Sequence, residues 1–396
     1  MRQYDYIVVG LGAMGSAALW HLAKSGARVL GIDRFTPPHN QGSTHGETRI
    51  TRRAIGEGEA LVPLALRSHQ LWAQIEAETG ADLFHQTGSL IIGRPGDNVE
   101  RPGRTGFVDR SIAAARRFDI DHEILTADEI TARYPNFTPQ PDEIGYFEPG
   151  GGYLRVEACV AANLTLAQRH NATIQLDTEV RDIAADQTAV RIVTADETIL
   201  AGHVAVTAGA WAPALLGAPF IDLLKPTRQV MHWFMIEPDA RSIWEKSPVF
   251  MWPHGDDESG FFYGFPSIDG QSMKTADECY GPASDPNAID RLVTPEQSSQ
   301  MYQSHMAGRF AGLTPQVART QTCIYTASPD SGFIIDQHPQ RDNVLVVSPC
   351  SGHGFKHSAA IGEAVAARLL QQPHPIDLNA FSLSRFGTNP ATSPPD

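Results

Sequence analysis

Positive charge is in short supply: 31 Lys and Arg stand against 45 Asp and Glu among 396 residues, a formal net charge of −14. A nucleic-acid partner needs clustered positive charge, so this balance argues against one. No apolar run approaches the ~18 residues that a membrane span requires, because Gly or a charge interrupts each of them. Cysteine is sparse too. Cys159, Cys279, Cys323 and Cys350 form no CxxC pair, which fits neither a disulfide scaffold nor a zinc site and agrees with a reducing compartment. The apolar stretch from Tyr6 to Val9 is broken at once by Gly10 and Gly12, so no secretory signal is read and a cytoplasmic protein is expected. Internal repeats are lacking. What is present is a hydrophobic content of 42%, enough for a core in each of the two or three domains that this length suggests.

The clearest local signal is at the N-terminus. Tyr6-Ile7-Val8-Val9 reads as a strand, Gly10-Leu11-Gly12-Ala13-Met14-Gly15 as a tight turn, Ser16 to Ser25 as a helix, and Arg28 to Ile32 as a second strand ending at Asp33. A lone GxGxxG is weak evidence, but between a β-branched run and an Ala/Leu-rich helix, with an acid about 20 residues on, it points to dinucleotide binding. Gly10 permits the turn, Gly12 lets the backbone approach a pyrophosphate, and Gly15 lets helix and strand pack closely. The helix N-terminus then receives phosphate charge. Asp33 accepts hydrogen bonds from a ribose and disfavours a 2′-phosphate, which makes NADP the poorest match. Glycine-rich turns also occur for packing alone, and this segment by itself is compatible with an NAD-dependent dehydrogenase.

Further strands are read at 172–176, 190–193 and 203–207, the last running into Ala208-Gly209-Ala210-Trp211. Near the other end, Asn343 to Val347 reads as a strand leading to Ser351-Gly352-His353-Gly354-Phe355-Lys356 and an Ala-rich helix from Ser358 to Leu370. Strand, glycine turn and helix thus recur at both ends, and they predict an α/β, Rossmann-like sheet assembled from residues 1–85, 150–220 and 321–386. Residues 86–149 and 221–320, with aromatic-rich segments such as Phe261 to Pro266, predict a second, α+β domain whose antiparallel strands roof the cofactor. The Pro/Ser/Thr-rich tail, 387–396, is expected to be disordered.

Taken together, Gly10-x-Gly12-x-x-Gly15, Pro37-Pro38-His39, Gly42 to Arg52, Tyr263-Gly264-Phe265-Pro266, Cys323-Ile324-Tyr325-Thr326 and Ser351 to Lys356 resemble the monomeric sarcosine oxidase and N-methyltryptophan oxidase family, from residue 4 to about 386. The resemblance implies a glutathione-reductase-like FAD domain and oxidation of a secondary amino acid, N-methylated or cyclic. Hydride would pass to flavin, the imine would hydrolyse, and O₂ would leave as hydrogen peroxide. It also implies FAD held by a thioether to Cys323, which as a free thiol alone would read as a buried structural cysteine. Further cofactor contacts are implied at Ala13, Met14, Arg34, Gly42, Ser43, Thr44, Thr48, Val180, Gly209, Trp211, Gly352, Gly354 and Phe355. His353 falls beside the flavin. A monomer is implied, with a small amino acid and O₂ as partners.

Arg49 and Arg52 lie three apart, the spacing of neighbours on one helical turn, and by themselves read equally as a solvated basic face. The resemblance separates them: Arg49 stacks near the flavin, and Arg52 binds the substrate carboxylate with the planar fork suited to it. Lys356 matches the second carboxylate clamp and reaches the flavin edge. Lys274, a surface lysine on spacing alone, matches the residue whose charge helps O₂ accept electrons. Tyr263, Tyr325 and Met251 are expected at the pocket, the tyrosines orienting the amine or packing over the ring. The sequence departs from sarcosine-specific members by carrying Glu278 where they have histidine, and His357 where they have phenylalanine. Glu278 is compatible with a cationic substrate, with pairing to Lys274, or with solvent. His353 and His357 lack a third ligand, so no metal is expected. Two rival readings remain at this point, a dehydrogenase using another electron acceptor and a non-catalytic dinucleotide-binding redox sensor.

Overall fold

The computed structural model describes residues 2–387 except Pro102, Gln187 and Cys279. Of the tail expected to be disordered, residues 388–396 lie outside the described residues.

The strands Gln3–Val9, Val29–Ile32 and Arg341–Ser348 carry the apolar runs Ile7 to Val9, Val29 to Ile32 and Val344 to Val347, and such runs suit a parallel sheet covered on both faces. Gln3–Val9 lies parallel to Val29–Ile32 on one side and to Thr198–Val206 on the other. Thr198–Val206 in turn pairs parallel with Arg341–Ser348, Val204 opposite Val344 and Val206 opposite Val346. Strand segments far apart in sequence thus build one eight-stranded sheet. The helix Ala13–Lys24 packs on it with Ala17, Ala18, Leu19, Trp20 and Leu22 all buried. It begins three residues earlier than the sequence reading places it, so Gly15 lies within its first turn.

That placement explains the glycine. A Cβ built on Gly15 would meet the Gly10 carbonyl oxygen at 1.8 Å, an impossible contact with backbone, whereas one on Gly12 would meet only Thr44 Oγ1, at 3.3 Å. Gly10 itself has φ +93°, a conformation open to glycine at little cost. The helix Ser358–Leu369 crosses Ala13–Lys24 equally closely, since a Cβ on Gly362 would lie 2.4 Å from that of Ala17.

A second eight-stranded sheet forms the roof, in the order Leu313–Ala327, Lys225–Ile236, Ser272–Asp277, Phe261–Gly264, Val249–Pro253, Ser89–Gly93, Ile144–Glu148, Glu123–Thr126. It is not wholly antiparallel as expected: Val249–Pro253 runs parallel to Ser89–Gly93, because the two strands come from separate insertions and no hairpin joins them. Leu313–Ala327 runs across the 320/321 boundary drawn from sequence and carries Cys323 and Tyr325. A third, three-stranded sheet was not anticipated; in it Thr48–Thr51 and Phe84–His85 flank Gly152–Arg155. This corrects the reading of Arg49 and Arg52 as neighbours on a helical turn. Thr48, Ile50 and Thr51 are β-branched and favour a strand, which holds Arg49 and ends just before Arg52.

A Gly15→Ala substitution is expected to cost the holoprotein about 1–3 kcal/mol through overpacking. Gly12→Ala should change stability far less, and thermal unfolding of the two variants side by side checks both expectations.

Candidate active site

A cavity of about 410 Å³ opens where the parallel strands end and the helix Ala13–Lys24 begins. Gly10, Gly12, Ala13 and Met14 form one wall, with Gly42, Ser43, Thr44, Gly209 and Trp211 around them. Asp33 and Arg34 stand at the end of the second strand, with Val180 near them. The Asp33 carboxylate already accepts from Leu11 N at 2.6 Å and Phe35 N at 2.8 Å, which fixes its place in the turn. Arg34 and Trp211 both donate to Asn287 Oδ1, at 2.6 and 2.9 Å. Asn287 lines the cavity and escaped the sequence reading, because a lone Asn in a polar loop carries no local signal. Towards the roof the lining continues with Arg49, Tyr325, Cys350, Gly352, Gly354 and Phe355.

A smaller cavity of about 50 Å³ adjoins it, sharing Arg49, Gly352 and Phe355. Met251, Tyr263, Glu278, His353 and Lys356, all expected near substrate, come together here. So do Glu57, Arg104, Phe107 and Phe261, which the sequence reading missed. Glu57 lies five residues beyond Arg52 on the turn that follows Thr48–Thr51, and Arg104 in residues 94–106 ahead of the helix Phe107–Arg117. Nothing local marks either as a site residue.

Charge is concentrated and paired at this end. Glu57 accepts from Arg52 at 2.5 Å and lies 3.5 Å from the Lys356 ammonium. Burial raises its carboxyl, but Arg52 and Lys356 outweigh that and hold it well below the usual range. Arg52 is fully buried, donates also to the Ala54 carbonyl, and stacks over Phe107. It lies behind Glu57 and is not part of the cavity wall. Glu148 sets this turn, accepting from Arg53 N at 2.7 Å, Ala54 N at 3.1 Å and the Tyr146 hydroxyl at 3.0 Å. Lys356 donates to the His353 carbonyl at 2.8 Å, and burial pushes its ammonium down to about 8. Glu278 pairs with Arg104 at 2.6 Å, each side chain 4% exposed. Pairing with Lys274 and exposure to solvent, both left open by the sequence, are thereby excluded.

Four other expected residues sit behind the walls. Gly15 is packed against Gly10. Thr48 is buried, and its carbonyl and Oγ1 accept from Lys274 at 2.9 and 3.2 Å, while Gly46 O accepts from the same ammonium at 2.5 Å. Lys274 thus has three acceptors, while burial and then Arg49 push its ammonium well below the usual lysine range. It lines neither cavity. Cys323, 1% exposed, lies with Sγ 3.6 Å from Ser43 O and 3.8 Å from the Arg49 guanidinium, which also donates to Ser43 O at 2.7 Å. Burial raises this thiol and Arg49 opposes it. Tyr263 and Tyr325 meet hydroxyl to hydroxyl at 3.2 Å, and burial pushes Tyr263 up to about 12. His353 bonds Ser331 O at 3.0 Å, stacks on Phe333, and is pushed down to about 3 by burial, hence neutral.

The larger cavity has the form that a dinucleotide requires. A glycine turn with no side chain at Gly12 faces it, the helix beginning at Ala13 has no side-chain cap, and an acid stands at the end of the second strand. The smaller one is a charged recess at its end.

Residues 5–368 match the DAO family, described as FAD dependent oxidoreductases. Monomeric sarcosine oxidase of Streptomyces avermitilis is 39% identical, over 98% of this chain and 99% of its own. N-methyl-L-tryptophan oxidase of Yersinia pestis is 36% identical, over 97% and 99%. Among solved structures, the open form of NikD, an unusual amino acid oxidase essential for nikkomycin biosynthesis, superposes with a TM-score of 0.80 at 25% identity, over 96% and 98% of the chains. Glycine oxidase from Geobacillus kaustophilus shares the fold, with a TM-score of 0.72 at 21% identity and coverage of 97% and 99%.

Because Lys356 loses its charge near pH 8, a simple carboxylate such as acetate should bind the holoprotein less tightly as pH rises beyond that point. The dissociation constant should increase up to about tenfold per unit, as read by titration of the cofactor's absorbance; a constant flat from pH 7 to 10 would remove Lys356 from the binding set.

Proposed function

The chain belongs to the DAO family of FAD dependent oxidoreductases, and from that premise we propose that it oxidises a secondary α-amino acid, N-methylated or cyclic, with O₂ as the electron acceptor. The observation that carries this reading is the junction of the two cavities, where a long dinucleotide-shaped cleft ends at a recess lined by Lys356, Arg104, Glu57 and Glu278. The names of the full-length relatives, sarcosine oxidase and N-methyl-L-tryptophan oxidase, support the substrate class.

FAD, when bound, supplies the acceptor for the hydride on the carbon next to the amine and passes the electrons on to O₂. Gly10, Gly12, Ala13, Met14 and Thr44 would hold its phosphates, Asp33, Arg34, Val180 and Trp211 its adenosine end, and Ser43, Arg49, Gly352, Gly354 and Phe355 its ring. Lys356 holds the substrate carboxylate, with Arg52 behind Glu57 adding positive potential and keeping the Glu57 carboxylate ionised. Phe107, Phe261 and Met251 exclude water from the recess, which strengthens each of these interactions. Tyr263 and Tyr325, joined through their hydroxyls, set the wall against which the amine lies. Arg49 keeps a fixed cation between the cleft and Cys323, and Cys323 is the attachment point of the cofactor, close to Ser43 on the wall of the cleft. Lys274, anchored on Gly46 and Thr48, contributes, in its protonated form, the positive charge that favours transfer to O₂.

Three measurements test this. Purified protein should be yellow, should bleach anaerobically with sarcosine, another N-methyl amino acid or proline, and should release hydrogen peroxide in air; a yellow protein that none of these reduces sinks the proposal. On acid precipitation the colour should stay in the pellet for wild type and Cys350→Ser but pass to the supernatant for Cys323→Ser. Lys274→Met should keep its anaerobic reduction rate and lose at least about tenfold in the reaction with O₂, and slowed reduction with normal reoxidation would assign it elsewhere.

A further inference from the structure

The charged end of the smaller cavity contains a carboxylate oxygen that no donor among the described residues satisfies. Glu278 follows the strand Ser272–Asp277, and its Oε2 is taken by Arg104 at 2.6 Å. Its Oε1 is buried and has no hydrogen-bond partner among the described residues. The place of that oxygen is set by Gly352: a Cβ built there would stand 1.9 Å from Oε1 and 2.9 Å from the Tyr325 ring. Gly352 lines both cavities, so the open oxygen lies at their junction, in the recess that also contains Lys356. A buried carboxylate oxygen without a donor is costly, and a donor on the ligand relieves it. With Arg104 alongside, the pair carries little net charge. What the site lacks is therefore a hydrogen on a ligand, more than a cation.

We propose that Glu278 binds the amino group of the substrate and takes its proton: Oε1 accepts an N–H of the secondary ammonium, and that proton moves from nitrogen to Oε1. The N–H bond breaks and an O–H bond forms, leaving a neutral amine and a neutral carboxylic acid, with the freed electron pair on nitrogen. That pair is what assists departure of hydride from the adjacent carbon. The inference rests on the amine-oxidising reading above and adds the residue that prepares the amine. It also narrows the substrate to amines that carry a proton when bound, which excludes quaternary ammonium compounds.

The surroundings favour the transfer. Glu278 is faced by Arg104 and Tyr280, by Glu57 and Lys356 across the recess, and by Tyr263 and Tyr325. Burial raises its carboxyl, Glu57 adds to this, Arg104 and Lys356 oppose, and the result lies above the ordinary glutamate range. A carboxylate so placed is a better base than an exposed one. Arg104 is positioned by its loop: Arg101, paired with Asp97 at 2.6 Å, donates to His254 O and Gly255 O at 3.0 and 3.1 Å and ties these residues to the roof.

The test is the pH dependence of the limiting rate of anaerobic flavin reduction by sarcosine or proline in the holoenzyme, wild type against Glu278→Gln. The variant is expected to be slower by at least about tenfold at pH 7 and to recover towards pH 10, where an amine sheds its proton unaided. Binding of 3-methylbutanoate, the carbon isostere of N,N-dimethylglycine, followed by flavin absorbance, should differ by less than about twofold between the two proteins. A variant whose rate tracks wild type at every pH overturns the assignment. Loss of reduction at all pH values together with weakened 3-methylbutanoate binding also overturns it, making Glu278 part of the wall. A wild-type enzyme that no such amine reduces defeats the oxidase reading itself, a separate outcome from failure of the variant.

Discussion

Glu57 is the charge on which the site depends. Three basic side chains, Arg52, Arg104 and Lys356, are buried around the recess, and ions taken out of water need partners in good geometry. Glu57 serves Arg52 directly and Lys356 at longer range; Glu278 serves Arg104. With Arg49 also on the wall, the cations outnumber the two carboxylates, which suits a ligand that brings a carboxylate of its own. The ligand's carboxylate then offsets part of this excess, and the stability of the recess is linked to the recognition of its ligand.

The backbone makes this arrangement possible at close quarters. The contact of Gly15 with Gly10 brings a helix start up to the strand ends, and the parallel strands place their loops around one cleft. The roof then closes one end of that cleft with rigid pieces. Tyr263 and Glu278 come from the strands Phe261–Gly264 and Ser272–Asp277 or their ends, and Cys323 and Tyr325 from Leu313–Ala327. Arg104 comes from the loop ahead of the helix Phe107–Arg117, pinned through Arg101.

Much of this was legible in the sequence, for reasons that differ by region. The first nucleotide-binding unit is written locally, in a β-branched run, spaced glycines and a terminal acid, and was read within three residues at the helix start. Lys356 was likewise readable from the glycine turn before it. Arg49 and Arg52 were misread as sharing a helical face, since spacing three is shared by many conformations and the β-branched residues between them decide for strand. Glu57, Arg104 and Asn287 were missed because their roles exist only through partners far along the chain. Glu278 was recognised as unusual, but its partner was not, since Arg104 lies in a loop whose sequence looks merely polar.

The strand Thr198–Val206 is flanked by Gln3–Val9 and, over Val204 to Val206, by Arg341–Ser348, and this order has a consequence for how the chain comes together during synthesis. Its last strand partner is made more than a hundred residues later, so Val204 to Val206 stay unpaired on that side while the roof strands from Lys225–Ile236 to Leu313–Ala327 are being translated. The cleft therefore has its floor early and its far wall late, since Gly352, Phe355 and Lys356 follow the same closing strand. Stable capture of a cofactor must wait for nearly the full chain, and a polypeptide truncated before Arg341 would be left with an adhesive edge and an incomplete cleft.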